Sequence, residues 1–472
     1  MYLRLCDGFL LRGWQKLSGV LIKRPGNQYR ILTQTQLRLL LLCDGVTQLD
    51  KLLPTLPADQ QDCLKRWAEG QIIQPLDAPC PIAPEGAYHL YPNRFFHGFL
   101  WSITGKCNCR CRHCYLDAPN GAMGELNSQQ ALSLIDQMAA CGALQVDLTG
   151  GEPLVRPDFW MLVDRLQHHH IRIGQLYTNG ILLTRRILEE FQRRGLRPEI
   201  VLSFDGLGWH DWMRGVAGAE QAVWEAIRLC RELGFPVSCE MCLHRGNLEG
   251  FSASIRALGR QGVCSVKVSP VSDTALWKSH AQGNRLDFSD YVQAALDYIP
   301  QFYRDGMPCD LILSGIIRLF HGSAKFSVIP DAPSSAGSDD RRLLCGAIRG
   351  TCYIAPNGQV MPCMPMADSA DALHFPYVQE QGLSAILSSG PYFSAIDLRL
   401  EDLLRENAEC RECPYVRSCC GGCRASSVAA GNGLLGKDPS WCFLWRNNYV
   451  PKIRSIAQQA VEKYCNRKET VI

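Results

Sequence analysis

The sequence predicts an α/β chain in three regions: a winged-helix-like α+β module, a partial (β/α)6 barrel, and an irregular domain stapled by metal. Three observations carry this. From about Phe99, six short apolar runs alternate with helical stretches, the pattern of a parallel sheet with helices packed outside it. The first 80 residues show a smaller pattern of their own, set off by a proline-rich stretch. After about Ser323 periodicity fades, and glycine, proline and cysteine take over; a region with so small a core needs staples. At about 150 residues per domain, 472 residues allow roughly three domains.

In the N-terminal region, Gly19–Lys23 and Gln28–Leu32 read as two strands joined by the turn Pro25-Gly26-Asn27. A helix follows from about Gln34 to Cys43, stopped by Asp44-Gly45. Thr47 is placed to cap a second short helix ending at Pro54, with Asp50 completing a capping box. A third helix spans about Ala58 to Glu69, then a short strand Gln71–Ile73. Leu76–Pro92 carries four prolines and reads as a linker. The module is therefore placed at 1–80 and the linker at 81–98. In the central region, 99–322, the expected strands are Phe99–Thr104, Leu144–Leu148, Arg172–Tyr177, Glu199–Phe204, Val237–Leu243 and Ser265–Ser269. The helices between them include Ser128–Ala140, Arg185–Arg194, Gln221–Leu233 and Gly250–Gln261. Functional residues are then expected at the C-terminal ends of the strands. The C-terminal region runs from 323 to 472, with a loop at 331–340.

Composition narrows the function. A net charge of +3 argues against a dedicated nucleic-acid binder, which would show a strong basic excess. Arg4, Asp7 and Arg12 interrupt the start where a secretory signal needs an apolar run. No stretch of about 18 apolar residues offers a membrane span. The chain reads as cytoplasmic, so its 24 cysteines read as reduced, and clustered ones as metal ligands. Isolated cysteines such as Cys43, Cys230 and Cys264 read as small buried apolar residues.

Cys107, Cys111 and Cys114 form C-x3-C-x2-C directly after the first barrel strand. Three thiolates are one short of the usual iron–sulfur set, which leaves one iron open to another ligand. Structural zinc would take four. The second strand ends in Thr149-Gly150-Gly151-Glu152-Pro153. Glycines there let backbone carbonyls approach a ligand, and a carboxylate can accept from an ammonium group. The third and fourth strands end in Thr178-Asn179-Gly180 and Ser203-Phe204-Asp205-Gly206, followed by His210, Asp211 and Arg214.

The segment Lys106-Cys107-Asn108-Cys109-Arg110-Cys111-Arg112-His113-Cys114-Tyr115 resembles the signature of the radical S-adenosylmethionine (radical SAM) superfamily, including the aromatic Tyr115 after the third cysteine. Gly150-Gly151-Glu152 is similar to that family's GGE motif. The resemblance, over roughly residues 99–310, implies a 4Fe–4S cluster on Cys107, Cys111 and Cys114. Its open iron would bind the amino and carboxylate groups of SAM, and reductive cleavage would give a 5′-deoxyadenosyl radical. It also implies SAM contacts from Gly150, Gly151, Glu152, Ser203 and Tyr115. Arg214 is a candidate partner for the SAM carboxylate, or else a solvated side chain. Cys109 lies between ligands and is not counted among them.

Downstream, Cys345 precedes Gly358 and Cys363 at x12 and x4, then comes Cys410-x2-Cys413-x5-Cys419-x3-Cys423, and later Cys442; Cys352 lies between the first two. Eight thiols in about a hundred residues make two four-ligand sites, with two zinc sites as the structural alternative. This set resembles the SPASM domain. The resemblance implies one auxiliary 4Fe–4S cluster on Cys345, Cys352, Cys363 and Cys423, and a second on Cys410, Cys413, Cys419 and Cys442, with Cys420 spare. Three 4Fe–4S clusters and SAM are thus the expected cofactors.

The first 80 residues resemble the peptide recognition element of the pyrroloquinoline-quinone-D type, which implies capture of a leader peptide as an added strand. A DNA-binding winged helix is the alternative, but Asp59, Asp62 and Glu69 on the third helix suit phosphates poorly. Together the resemblances imply a maturase for a ribosomally made precursor peptide, forming thioether or carbon–carbon crosslinks oxidatively. They imply an electron donor such as flavodoxin or ferredoxin, with no nucleic acid or membrane partner. Oxidation of a residue in a folded protein, as in sulfatase maturation, and haem or quinone cofactor assembly remain open. So does a non-enzymatic, metal-stabilised winged-helix regulator. No catalytic acid or base is assigned.

Overall fold

The computed structural model describes residues 1–330, 339–346, 348, 350–369 and 374–465. Most of the expected 331–340 loop lies outside them.

The N-terminal region is α+β and holds two small sheets. Strands β1 (Tyr2–Leu5), β5 (Asp44–Gln48) and β6 (Ile73–Leu76) form one sheet in the order β5-β1-β6. Strands β2 (Phe9–Gln15), β3 (Leu17–Lys23), β4 (Gln28–Ile31) and β7 (His89–Arg94) form the other, ordered β4-β3-β2-β7. The expected hairpin is β3–β4, antiparallel with Val20 opposite Ile31. Helix α1 (Gln34–Leu41) starts at a Thr33–Gln36 capping box, and α2 is Ala58–Glu69. The expected helix after Thr47 is absent. The Asp44 carboxylate accepts from the Val46 and Thr47 amides at 2.8 and 2.7 Å and from the Thr47 hydroxyl at 2.7 Å. That local turn captures the capping residue and leaves a strand with one 3-10 turn, Leu53–Thr55, beyond it. Asp50 instead accepts from the Met1 amino group at 2.6 Å. The expected linker also ends in structure, since β7 pairs in parallel with β2, His89 opposite Arg12.

The central region is built on β8 (Gly98–Ser102), β9 (Gln145–Thr149), β10 (Arg172–Thr178), β11 (Glu199–Ser203), β12 (Val237–Leu243) and β13 (Ser265–Pro270), all parallel and adjacent in sequence order. These are the six expected strands. The sheet extends further than the pattern foretold. A seventh parallel strand, β14 (Asp310–Leu313), follows, then antiparallel β15 (Ile317–Leu319) and β16 (Phe326–Val328). At the other edge β17 (Thr351–Ile354), from the C-terminal region, pairs in parallel with β8 and carries β18 (Val360–Met361). The sheet is open: its end strands among the described residues are β16 and β18. Helices α3 (Ser128–Ala140), α4 (Phe159–His168) and α5 (Arg185–Arg193) cover its outer face through buried stripes such as Ala131, Leu134, Ile135 and Met138.

One apolar core runs from the barrel into the C-terminal region, reaching Ile453, Ala457 and Val461 on the last helix, Tyr449–Tyr464. Around the later cysteines the core shrinks to a small cluster of Leu344, Leu400, Leu403 and Val416 with Cys410 and Cys420. The module is locked to the barrel. Trp14 is 1% exposed, and its indole donates to the Cys141 carbonyl at 2.9 Å. The Asn27 amide donates to the carbonyls of Leu144 and His170 at 2.8 and 2.7 Å. These carbonyls precede β9 and β10, so the module sits at the N-terminal ends of the strands.

Candidate functional site

The cysteine loop 103–114 leaves the C-terminal end of β8 and is held from two sides. On one side the Ile103 amide donates to the Thr149 carbonyl at 2.8 Å, Gly151 to Thr104 at 2.8 Å, and Glu152 to Lys106 at 2.9 Å. On the other, the amides of Arg110 and Arg112 donate to the carbonyls of Arg214 and Met213, each at 2.9 Å, at the end of helix α6 (His210–Arg214). Arg112 also lies over the Trp212 ring. Cys107, Cys111 and Cys114 are all half-buried. The Cys109 amide donates to the Cys107 sulfur at 3.3 Å, and the Ala118 amide to Cys114 at 3.5 Å. Cys109 itself is buried, and its thiol donates toward Cys107 and Cys111. That hydrogen bond lowers the Cys107 pKa, and, helped by Arg214, it holds Cys111 at about 6 despite burial. Burial pushes Cys114 up to about 11.

Both glycines of the second strand end are sterically required. A Cβ on Gly150 would lie 2.6 Å from the Thr104 carbonyl oxygen. One on Gly151 would meet the Lys106 carbonyl, 2.7 Å from its carbon and 3.1 Å from Cys107 Cβ. Glu152 is fully buried. Its carboxylate accepts from the Thr178 hydroxyl and the Asn179 amide, each at 2.8 Å, and from the Leu154 amide at 3.2 Å. Burial lifts its pKa to about 7. The carboxylate thus ties the end of β9 to the end of β10, and the glycine backbone forms the open rim. Sequence reading missed Arg156, 4% exposed. Its guanidinium donates to the carbonyls of Ile103 and, at 3.0 Å, Leu126, and pairs with Asp158 at 2.6 Å, fixing the end of β8.

Ser203 is half-buried at the C-terminal end of β11. Arg214, expected on a ligand carboxylate, is occupied within the protein. Its Nε stands 2.8 Å from Asp205, and its Nη1 lies 3.7 Å from the Cys111 sulfur. The physical reason is Asp205, which is wholly buried and needs a counter-charge. Burial pushes that carboxyl up, but Arg214 and His210 hold it far below the ordinary range. His113 and Cys242 gather within 4.8 Å of the same carboxylate, and burial lowers His113 to about 4. With the guanidinium on Asp205, this trio is a packed polar cluster behind the cysteine loop. Cys242, at the end of β12, carries no motif that would have announced it. Tyr115 turns toward the C-terminal region. Its hydroxyl is 3.5 Å from that of Tyr353 on β17, which is 2.8 Å from the Ser102 hydroxyl.

The later cysteines of the C-terminal region fall into a pair of groups. Cys410, Cys413, Cys419 and Cys442 are electrostatic neighbours, with Lys437 and Arg446 beside Cys442. Cys345, Cys363 and Cys423 form the other group. Arg424, 2% exposed, donates to the carbonyls of Leu434 and Gly436 at 2.8 Å. Buried Asp438 accepts from the Cys423 amide at 2.9 Å and the Ser426 hydroxyl at 2.7 Å. Gly422 has φ +76°, and a Cβ there would lie 2.5 Å from Asp438 Cβ. Cys352, expected with Cys345, Cys363 and Cys423, lies beside Tyr392, which also neighbours Cys363. Cys352 is 2% exposed on β17, against the Tyr392 hydroxyl and near Cys141. A zinc ion with bonds of about 2.3 Å would draw its sulfurs to about 3.8 Å apart. Among the described residues no three cysteines gather within 4.8 Å.

Residues 101–256 match the radical SAM superfamily and 345–414 the SPASM iron–sulfur cluster-binding domain. The PqqA peptide cyclase of Granulibacter bethesdensis is 27% identical over 75% of this chain and 88% of its own length. The AdoMet-dependent heme synthase of Methanosarcina barkeri is 27% identical over 72% of this chain and 94% of its own. In fold the chain is similar to SuiB of Streptococcus suis, solved bound to the precursor peptide SuiA. The TM-score is 0.63 at 15% identity, over 93% of this chain and 99% of SuiB. The cysteine loop, the GGE turn and the later cysteine groups all fall in or beside the two matched segments, and the chain is a radical SAM enzyme with a SPASM iron–sulfur domain.

Proposed function

We propose that this enzyme modifies a ribosomally made precursor peptide, crosslinking it oxidatively through a thioether or carbon–carbon bond. The observation that carries this is the extent of the SuiB likeness. It spans 93% of the chain and 99% of SuiB. A likeness this broad leaves out only about 33 of 472 residues, so it takes in at least part of the docked N-terminal module, and a peptide-acting enzyme has a use for it. Strand β4 lies at a sheet edge with all four residues exposed, Ile31 at 55%. An unpaired edge of this kind accepts an extended leader as an added strand.

Cys107, Cys111 and Cys114 would hold one cluster, and the later cysteines two more. When bound, the first supplies reductive cleavage of SAM to a 5′-deoxyadenosyl radical. The chain's own role is to fix geometry. The Gly150–Gly151 backbone, Ser203 and Tyr115 shape the SAM site, and Glu152 and Arg214 position the two loops that form it. Flavodoxin or ferredoxin would deliver the electron. No helix among the described residues is long and apolar enough to cross a membrane, and we place the enzyme in the cytoplasm.

The test is anaerobic incubation of the reduced, reconstituted enzyme with SAM and a candidate precursor peptide, sought among short reading frames next to its gene. A peptide mass loss of about two hydrogens per crosslink, with 5′-deoxyadenosine, supports the reading. Deoxyadenosine with an unaltered peptide, and turnover of a haem precursor instead, overturns it.

A further inference from the structure

We infer that Arg214 and Asp205 tune the reduction potential of the cluster on Cys107, Cys111 and Cys114, Arg214 raising it through the Cys111 sulfur and Asp205 lowering it. This rests on the assignment of those cysteines as the SAM-cluster ligands and not on the identity of the substrate. The geometry begins at the end of β11. Asp205 lies two residues beyond that strand, and Arg214 closes α6. Arg214 grips the cysteine loop with both backbone and side chain. Its carbonyl accepts from the Arg110 amide at 2.9 Å, and its Nη1 donates to the Cys111 sulfur at 3.7 Å. The contact leaves no slack: a Cβ on Gly215 would lie 2.6 Å from the Arg110 carbonyl oxygen. Asp205 stands on the other side of the guanidinium, 2.8 Å from Nε. That carboxylate is itself held. It accepts from the Cys242 amide at 3.2 Å, while the Asp205 carbonyl accepts from the Asn247 side chain at 2.7 Å. Both charges are out of water: Asp205 is wholly buried and the Arg214 side chain is 11% exposed.

The two charges act on the cluster with opposite signs. Reduction adds one electron from the external donor, so the reduced cluster is the more negative form. A hydrogen bond and a positive charge at a ligand sulfur stabilise that form and raise the potential, and a nearby carboxylate does the reverse. Burial makes both effects larger than they would be in water. A guanidinium suits the task because it stays charged at every working pH. Alone it would be costly to bury, and Asp205 supplies the counter-charge. The pairing spares the directional bond to Cys111, because Asp205 stands at Nε and leaves Nη1 for the sulfur. Both are positioning residues, which act through Cys111 and transfer nothing themselves.

The test uses the full chain with its clusters reconstituted anaerobically. Reduced-state EPR is followed against applied potential, and the cluster in question is the signal that changes when SAM is added. Asp205→Asn removes the opposing charge and should raise its midpoint. Arg214→Met removes the donor and the positive charge and should lower it, by about tenfold in the reduction equilibrium, or roughly 59 mV for one electron. The double variant keeps the net charge and loses the hydrogen bond, so its midpoint should fall between wild type and Arg214→Met. It also removes the bare buried carboxylate, and so decides the matter if Arg214→Met does not fold. The signals that ignore SAM should keep their midpoints in every variant. An Asp205→Asn midpoint at or below wild type, or a double-variant midpoint at or above it, would overturn the inference. So would loss of about four irons from both, which would make the pair structural. A wild-type enzyme with no SAM-responsive signal would instead defeat the assignment of the loop.

Discussion

Replacing Gly151 with Ala drives a methyl carbon into the backbone that carries the SAM-site cysteines. The new Cβ would stand 2.7 Å from the Lys106 carbonyl carbon and 3.1 Å from Cys107 Cβ. Ordinary contact begins at 3.4 Å, so 3.4 − 2.7 requires the two loops to separate by at least 0.7 Å. Both obstacles are backbone or Cβ atoms with no rotamer to relieve them. Separation must also stretch the hydrogen bonds Gly151 to Thr104 and Glu152 to Lys106, 2.8 and 2.9 Å long. Overpacking of this size costs about 1–3 kcal/mol, tolerable for a large domain. Catalysis should suffer more, because misplacing reacting groups by about 1 Å costs on the order of 100-fold. The expected result is a fall of about 30- to 100-fold in 5′-deoxyadenosine formation, with about eight auxiliary irons retained and a small drop in melting temperature. Formation within about threefold of wild type would refute the claim that the glycine backbone sets the spacing of the two loops.

Cys442→Ala removes a ligand of the second auxiliary group but nothing near β8, so 5′-deoxyadenosine formation should persist while peptide product falls; normal product by mass spectrometry would show that group is not needed. Ile31→Pro places a residue that disrupts edge pairing on β4, and should raise the peptide concentration needed for half-maximal rate about tenfold without changing peptide-free SAM cleavage; an unchanged concentration dependence would remove β4 as the leader site. The module sits at the N-terminal ends of the strands, and β10 is 7 residues long, about 23 Å at roughly 3.3 Å per residue. A leader-to-core spacer shorter than about seven extended residues should therefore abolish modification in a series of shortened peptides. Glu152 titrates at about 7 in the fold, raised by burial from 4.5. A raised carboxyl binds its proton more tightly in the folded chain, so its contribution is full below about pH 4.5 and is lost as pH rises through 7. The loss is at most about 3.5 kcal/mol, at roughly 1.4 kcal/mol per pH unit between 4.5 and 7. Glu152→Gln should flatten the fall in unfolding free energy between pH 5 and 8, and an identical slope in both proteins would contradict this.

Features that chain-local chemistry dictates were legible in the sequence. The six barrel strands each end near their expected residues because apolar runs bounded by turns have few other readings. The C-x3-C-x2-C loop and the GGE turn sit on successive strand ends as spacing implied. What sequence could not show was long-range. The Thr47 helix failed because the Asp44 side chain took the Thr47 amide and hydroxyl. Strands β1 and β7 exist only through partners far along the chain, β5 and β6 for the first and β2 for the second. Arg214 looked available for a ligand until the buried charge of Asp205 was placed beside it. Cys352 fitted a ligand count, but its place on β17, opposite Phe99 and beside Tyr392, depends on pairings far along the chain. Arg156 carried no periodic signal, since its role is to satisfy loop carbonyls brought together by the fold.

The most direct test is one anaerobic experiment on the reconstituted full-length enzyme, comparing it with the Cys107→Ala, Cys111→Ala, Cys114→Ala variant. Iron and zinc are counted, and 5′-deoxyadenosine is measured with SAM and dithionite. The intact enzyme should carry about twelve irons, with negligible zinc, and form 5′-deoxyadenosine, while the variant should carry about eight and form none. Zinc in place of iron, or deoxyadenosine formation that survives loss of all three cysteines, would contradict the assignment of this loop as the site of SAM cleavage.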